Sequence, residues 1–414
     1  MRPYVYPELK YPMRWPLLCA SFAIVTFAIA LLASCRHAPM RLSDEAYIWQ
    51  RHWDPAVVSA LLASSGDISA WHVLAAEIDA HGAWHIIAPD WAALASTHEP
   101  VTAVVRIDGQ LAQWDEASLL AQVQAVSVAW HAHRIHLAGL EIDHDCATAR
   151  LPAYAHFLAQ LRRRLPPSDR LTVTALPAWL DSPALDAVLA QVDQAVLQVH
   201  AVQSPRLGLF DADRAASWMQ AFARHTHGPW RVALPTYGTR VVWDRSGHML
   251  ALESEQPSLT PGDGASELLA DPAAMEAFVK RIERQAPPQL AGIVWFRLPT
   301  ERDARAWSLG TWLAVLRQLP LEARVNAVAR ASREPDLYDL LLANTGSDDA
   351  LLPASIRIDS SCRIADGIDG YTLARDIHGM FLQRTQHGLL RAGQQRPIGW
   401  LRCGQEPLSL HVEP

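Results

Sequence analysis

Between residues 46 and 320 the chain repeats one pattern eight times: a short apolar run of strand length, a turn, then helical spacing. The strand-like runs are Ala46–Trp53, Ile68–Ile78, Val101–Ile107, Leu137–Asp145, Leu171–Leu176, Ala195–Val202, Trp230–Leu234 and Leu290–Leu298. A further short run, Trp84–Ala88, sits between the second and third. The intervening stretches carry helix signals. Leu119, Leu120, Val123 and Val126 recur at helical spacing, and Asp54-Pro55 and Asp271-Pro272 read as capped helix starts. Eight alternating units predict an α/β fold, a (β/α)8 TIM-like barrel. An open doubly wound sheet is the competing arrangement, but no glycine-rich phosphate loop follows the first strand. From Leu321 the pattern changes to short strand-like runs separated by Gly, Asp, Asn and Ser. Residues 321–414 are therefore expected to form a small all-β, sandwich-like domain.

The balance of 36 Lys and Arg against 43 Asp and Glu gives a net charge of -7. That argues against a nucleic-acid partner. The 16 Trp outnumber the 8 Phe and the 8 Tyr. Such an excess suits sugar-stacking platforms, and it suits ordinary core filling equally well.

The first 34 residues read as a targeting segment. Arg2, Lys10 and Arg14 precede an apolar run from Leu17 to Ser34, which ends Leu-Ala-Ser-Cys at Cys35. This resembles a bacterial lipoprotein signal, with Cys35 as the lipidated residue and 35–45 as a tether. An uncleaved signal anchor is the alternative. Both place the remaining chain outside the cytoplasm; the lipoprotein reading implies the periplasmic side of the envelope, on the outer membrane more than the inner. In that oxidising setting Cys362 and Cys403 are a plausible disulfide, worth about 4 kcal/mol on the chain-entropy model. Cys146 is left over and is expected to be a buried structural thiol.

The fourth strand carries the chemistry. In Leu137–Asp145, Leu140 and Ile142 point one way while Glu141, Asp143 and Asp145 point the other. Carboxylates flanked by apolar residues are costly to bury unless paired or protonated. In a barrel, catalytic groups stand at the C-terminal ends of the strands. On the same inward parity the third strand offers Arg106 and Asp108, the sixth Gln198 and His200, and the eighth Trp295 and Arg297. Tyr237 follows the seventh strand, and Trp179 follows the fifth. Asp145, Asp143 and Glu141 are thus the candidate catalytic residues. Arg106, Asp108, Trp179, Gln198, His200, Tyr237, Trp295 and Arg297 are the candidate substrate-binding residues. A metal site is the rival chemistry, since His131, His133, His136 and His144 are dense here. No His-Glu-x-x-His or paired Cys-x-x-Cys accompanies them, so neither metal nor cofactor is expected. A metal-dependent hydrolase using His144 and His200 is the weaker option.

Two resemblances follow from these motifs. The segments AYIWQRHW (46–53), RIDGQ (106–110), LEIDHDC (140–146), ALPAWL (175–180) and LQVHAVQ (197–203) resemble a family of uncharacterised bacterial proteins, domain of unknown function 3142. That family brings no established activity with it. A more distant resemblance is to chitinase-like glycoside hydrolases of family 18. AGLEIDHD (Ala138–Asp145) is similar to their fourth-strand pattern D-G-x-D-x-D-x-E, and ALPTYG (Ala233–Gly238) to their G-x-P-x-Y-G. The resemblance implies Asp145 as the acid, Asp143 as its assistant and Trp295 as the eighth-strand tryptophan. This chain departs from the pattern in having Asp for Glu at 145, and Gln198 and His200 for the sixth-strand Tyr-Asp.

The expectation is a lipid-anchored envelope protein that hydrolyses a polysaccharide, with Asp145 as general acid. The alternative is a non-catalytic carbohydrate-binding or envelope-assembly lipoprotein on a degenerate barrel.

Overall fold

The computed structural model describes residues 1, 4, 41–200, 208–246, 249–253, 264–303, 305–358, 362–386, 389–404 and 409–413. Apart from Met1 and Tyr4, the expected signal segment 1–34 lies outside the described residues, as do Cys35 and most of the tether.

Strand formation follows the β-branched and apolar runs. In chain order the strands of the first part are β1 (Ser43–Ile48), β2 (Trp71–Ile78), β3 (Trp84–Ile86), β4 (Val101–Ile107), β5 (Leu137–His144), β6 (Arg170–Ala175) and β7 (Gln194–Gln198). They continue with β8 (Trp230–Pro235), β9 (Gly238–Trp243), β10 (Met249–Glu253), β11 (Gly264–Leu269) and β12 (Leu290–Phe296). Eight of them are parallel neighbours in the order β1, β12, β8, β7, β6, β5, β4, β2, and β1 also pairs with β2. That last pairing closes the barrel. β3 is an antiparallel appendage on β2. The antiparallel sheet of β10, β9 and β11, with β9 in the centre, is the excursion between β8 and β12.

Helices on the outside are opened by short polar caps. Asp54 accepts hydrogen bonds from the Ala56 and Val57 amides at the head of α1 (Pro55–Ser64). Asp90 does the same for α2 (Trp91–Thr97), and Asp115 for α3 (Glu116–His131). After α4 (Leu151–Arg162) and α5 (Leu185–Leu189), Asp211 caps α6 (Ala212–Phe222) and Asp271 caps α7 (Pro272–Arg284). Ser308 caps α8 (Leu309–Leu316). Each cap satisfies an amide that would otherwise lack a partner, typically worth about 1 kcal/mol.

Two apolar layers result. Between strands and helices lies the larger core, including Trp71, Phe157, Trp179, Trp230, Trp295 and Trp312. Inside the barrel a smaller cluster holds Tyr47, Trp49, Leu74, Val104, Val196, Ala233 and Val294.

Residues 325–413 form the expected β domain. One four-stranded sheet pairs Val325–Ala331, Leu337–Asn344, Gln395–Cys403 and Cys362–Gly367; the other pairs Tyr371–Asp376, Gly379–Arg384, Ser355–Ile358 and Leu410–Glu413. Leu340, Leu342, Ile356, Leu382, Ile398 and Leu401 fill the space between them. Cys362 and Cys403 are bonded to each other across neighbouring strands. The Asp349 carboxylate ties this domain to the barrel. It accepts from the Ser308 amide at 3.1 Å, the Thr311 hydroxyl at 3.1 Å and the Ala392 amide at 2.8 Å.

Two expectations need correction here. β1 begins at Ser43, inside the stretch read as tether, because Ser43, Asp44 and Glu45 pair with Gly292, Ile293 and Val294 of β12. The eighth strand also runs with the opposite parity. Val294 and Phe296 face the lumen, while Trp295 faces the helices, packs beside Trp307 and donates to Asp44 at 2.9 Å.

Candidate active site at the barrel mouth

The lumen holds two polar groups stacked along β5. The lower one surrounds Glu141. Its Oε2 lies 2.7 Å from His72 Nδ1, and its Oε1 accepts from the Tyr47 hydroxyl at 2.6 Å. The other nitrogen of His72 lies 2.8 Å from Glu45, and Glu45 pairs with Arg231 at 2.7 Å. Glu45, His72 and Glu141 are buried. Burial alone would lower the His72 pKa, but Glu141 and Glu45 raise it to about 9, so the ring is an imidazolium donating to both acids. Burial likewise opposes ionisation of Glu45, and His72 and Arg231 overcome it and lower its pKa. Arg231, Glu45, His72 and Glu141 thus form a neutral chain of alternating charge.

The upper group surrounds Asp143. Its Oδ1 accepts from the Thr174 hydroxyl at 2.6 Å and from the Gln198 amide at 3.3 Å. Both donors converge on one oxygen, so the other is left for a proton. The nearest cation, Arg106, is 4.0 Å from that second oxygen and is shared with Glu77 at 3.6 Å. Glu77 is itself held by Arg51 at 2.7 Å. Burial and then the charge of Asp145 raise the Asp143 pKa to about 8, against the Thr174 hydrogen bond and Arg106.

Asp145 follows β5 and is exposed at the lip. Protein packed about its carboxylate raises its pKa, Arg106 opposes this, and Asp108 adds to it. Asp108 is held in an Asx turn, accepting from the Gln110 amide at 2.8 Å. Gly109 lies so close to Asp145 that a Cβ there would overlap the Asp145 carbonyl oxygen. The turn after β4 therefore sets the height of Asp145. Asp143 and Asp145 are interacting acids, both raised, at the C-terminal end of the barrel strands. Such a pair retains a proton near neutral pH and can deliver it to a bound group.

Aromatic residues stand beside the acids. Phe296 lies 5.1 Å from Trp49, 5.6 Å from Tyr237 and, stacked, 5.3 Å from His200. The Tyr237 hydroxyl is 3.4 Å from His200 Nδ1. Burial lowers the His200 pKa to about 4, so the ring is neutral, and its buried Nε2 has no hydrogen-bond partner among the described residues.

The structure thus brings together Arg106, Asp108, Asp143, Asp145, Gln198, His200 and Tyr237. Glu141 is on the same strand and face, one layer lower, engaged by Tyr47 and His72. Three expected residues are elsewhere. Trp179 is fully buried outside the barrel, donating to the Cys146 carbonyl at 2.9 Å. Trp295 is on the outer face of β12. Arg297 turns away from the acids to Asp303, at 2.7 Å. His144 also faces outward, onto the Ile107 carbonyl, so the barrel wall separates it from His200. Among the described residues no three His, Cys, Asp or Glu side chains are grouped to hold a metal.

Sequence reasoning overlooked Trp49, Arg51, Glu77, Thr174 and Phe296 at the mouth, and Glu45, Tyr47, His72 and Arg231 below. Charged residues inside otherwise apolar strands, at His72 and Arg231, were the available signal for the lower group.

Residues 97–301 match the family model described as Domain of unknown function (DUF3142), and residues 327–404 match Domain of unknown function (DUF8456). The first is the family that the strand motifs resemble. No curated protein matches the chain. Among solved structures, a chitinase from Chromobacterium violaceum aligns at 17% identity and a TM-score of 0.48, covering 67% of this chain and 98% of that one. The spore cortex-lytic enzyme SleL of Bacillus cereus aligns at 13% identity and 0.49, covering 68% and 75%. A chitinase from Bacteroides thetaiotaomicron aligns at 14% identity and 0.46, covering 62% and 89%. The fold is read from this chain's own strand pairing, and these likenesses add neither substrate nor activity to it.

Proposed function

We propose, for a chain whose barrel carries the DUF3142 segment, that the mouth hydrolyses a glycosidic bond in a polysaccharide. The observation that carries this reading is the coupled, proton-retaining pair Asp143 and Asp145, set beside the aromatic wall of Trp49, Phe296 and Tyr237. In the proposed reaction the proton shared by the pair passes from Asp143 to Asp145 and on to the departing glycosidic oxygen, the Asp143 carboxylate left behind stabilises positive charge developing on the sugar ring, and water adds to the anomeric carbon, returning its proton to the pair. Thr174 and Gln198 hold Asp143 in place for that role. Arg106 and neutral His200 bind hydroxyl or acidic substituents, and the rings stack on apolar sugar faces. General-acid help of this kind is worth roughly 10²–10⁴ in rate.

The test is reducing-end release from a panel of polysaccharides by the wild type and by Asp145→Asn. Turnover should fall by about 10²–10⁴ in the variant while the circular dichroism and melting curves are unchanged. Equal turnover in both proteins removes Asp145 from the role. Binding of a glycan by both, with turnover by neither, favours the second reading, a carbohydrate-binding protein. The exposed position of Asp145 and its shorter reach favour that second reading.

The same proposal puts the protein on the periplasmic side of the envelope, on the outer membrane more than the inner, held by lipid on Cys35. The support is the Leu-Ala-Ser-Cys ending of the apolar run. Palmitate labelling that persists in Cys35→Ala would overturn it.

A further inference from the structure

His144 ends β5 on the face opposite the lumen. There a cavity of about 240 Å³ is lined by Ala112, Trp114, His144, Arg150, Ala153 and Tyr154. It lies between the turn after β4 and the head of α4, behind the strand end that carries Asp145. The mouth chemistry makes no use of it.

Three features of the lining specify a ligand. His144 is buried, and its Nδ1 lies 3.0 Å from the Ile107 carbonyl. A carbonyl only accepts, so Nδ1 carries the hydrogen and Nε2 is left as an acceptor. Burial lowers the His144 pKa, and Arg150 lowers it further against the Ile107 bond, so the neutral form persists at pH 7. Arg150 is exposed at the rim and has no ion pair among the described residues. Trp114 is half-buried, with its ring 5.1 Å from His144 and 5.4 Å from Phe157, which fixes it as a rigid wall. The cavity therefore offers a guanidinium for an anion, an acceptor for a hydroxyl donor, and apolar sides at Ala112, Ala153 and Tyr154.

We infer that this cavity binds a small hydroxylated carboxylate, of the size of a single sugar-acid ring. The carboxylate pairs with Arg150 and a hydroxyl donates to His144 Nε2. A neutral sugar leaves Arg150 unused, and an aromatic acid leaves His144 without a donor. The proposal is independent of whether Asp145 turns over a glycan.

The experiment is isothermal titration of the full chain in detergent with sodium D-glucuronate, D-glucose or sodium benzoate, repeated on Arg150→Gln and Ala153→Leu. Arg150→Gln removes the charge at an exposed position, and Ala153→Leu fills the cavity from the helix side. Glucuronate should bind the wild type, with glucose and benzoate each at least tenfold weaker. Either substitution should weaken glucuronate at least tenfold. No heat from glucuronate up to its solubility limit overturns the proposal. Equal affinity in the wild type and both variants also overturns it, and benzoate binding as tightly as glucuronate removes His144 from it.

Discussion

Glu141 and Asp143 stand two residues apart on one strand, face one lumen and are both buried. Their surroundings differ in kind. Glu141 meets an imidazolium at 2.7 Å and a phenol at 2.6 Å, and the chain of charges continues through Glu45 to Arg231. Asp143 meets two neutral donors on one oxygen and a shared guanidinium 4.0 Å from the other. The first arrangement pairs a buried imidazolium with its acids near neutral pH and locks the end of the barrel where the strands begin. The second leaves an acid that keeps its proton. A group that must exchange protons cannot be satisfied as fully as one that only holds walls together.

The largest effect expected from this contrast lies in the lower layer. Glu141→Gln leaves the His72 imidazolium facing a neutral amide, and should cost about 3–5 kcal/mol in urea unfolding. A loss under about 1 kcal/mol would mean that the two layers do not differ as described. The pH dependence is next. The folded pKa of His72, about 9, lies above its unfolded value near 6.5. Its stabilisation is therefore complete below pH 6.5 and lost as pH rises through 9. The folded pKa of Asp143, about 8, lies above its value of 3.8 in the unfolded chain. The stability it lends is complete below pH 3.8 and is lost as pH rises through 8. Both signs agree, so the wild type should lose stability between pH 7 and pH 9, read from urea midpoints across that window. Midpoints that rise with pH would contradict both assignments.

Asp143→Asn sharpens the comparison from the other side. An amide at 143 needs no proton, so the variant should exceed the wild type by roughly 1–3 kcal/mol at pH 9. A destabilised Asn variant at that pH would make Asp143 another structural ion pair. The smallest effect belongs to Thr174→Val. It removes one of the two donors to Oδ1, a hydrogen bond that lowers the Asp143 pKa. The carboxyl titration followed by carbon NMR should move up, and Thr174→Ser should restore it. An unmoved titration would mean that Thr174 only fills space.

The barrel itself was legible because eight apolar runs and their Asp or Ser caps recur along the chain. The acids of β5 were legible too, since Leu140 and Ile142 alternate with them. β12 failed for a physical reason. Leu-Ala-Gly-Ile-Val-Trp-Phe is apolar on both faces, so it carries no alternation, and its register against β8 shifts between Leu290 and Gly292. Arg297 was placed inward by that parity and lies with Asp303. Trp179 was assigned to the mouth by ring type alone, a property that core filling shares. Glu45 is hidden in the sequence because Ser43-Asp44-Glu45 has the composition of a linker, and only its pairing with β12, far along the chain, makes it a strand.

The Asp349 carboxylate has a consequence for how this gene can be cut and recombined. It completes the cap of α8, the last barrel helix, and in the same place it fixes the backbone of Ala392. A fragment that stops at the barrel's end loses a capping partner supplied by the module that follows. The transplantable unit is therefore the pair, and a breakpoint between the two would hand each recipient an unfinished surface.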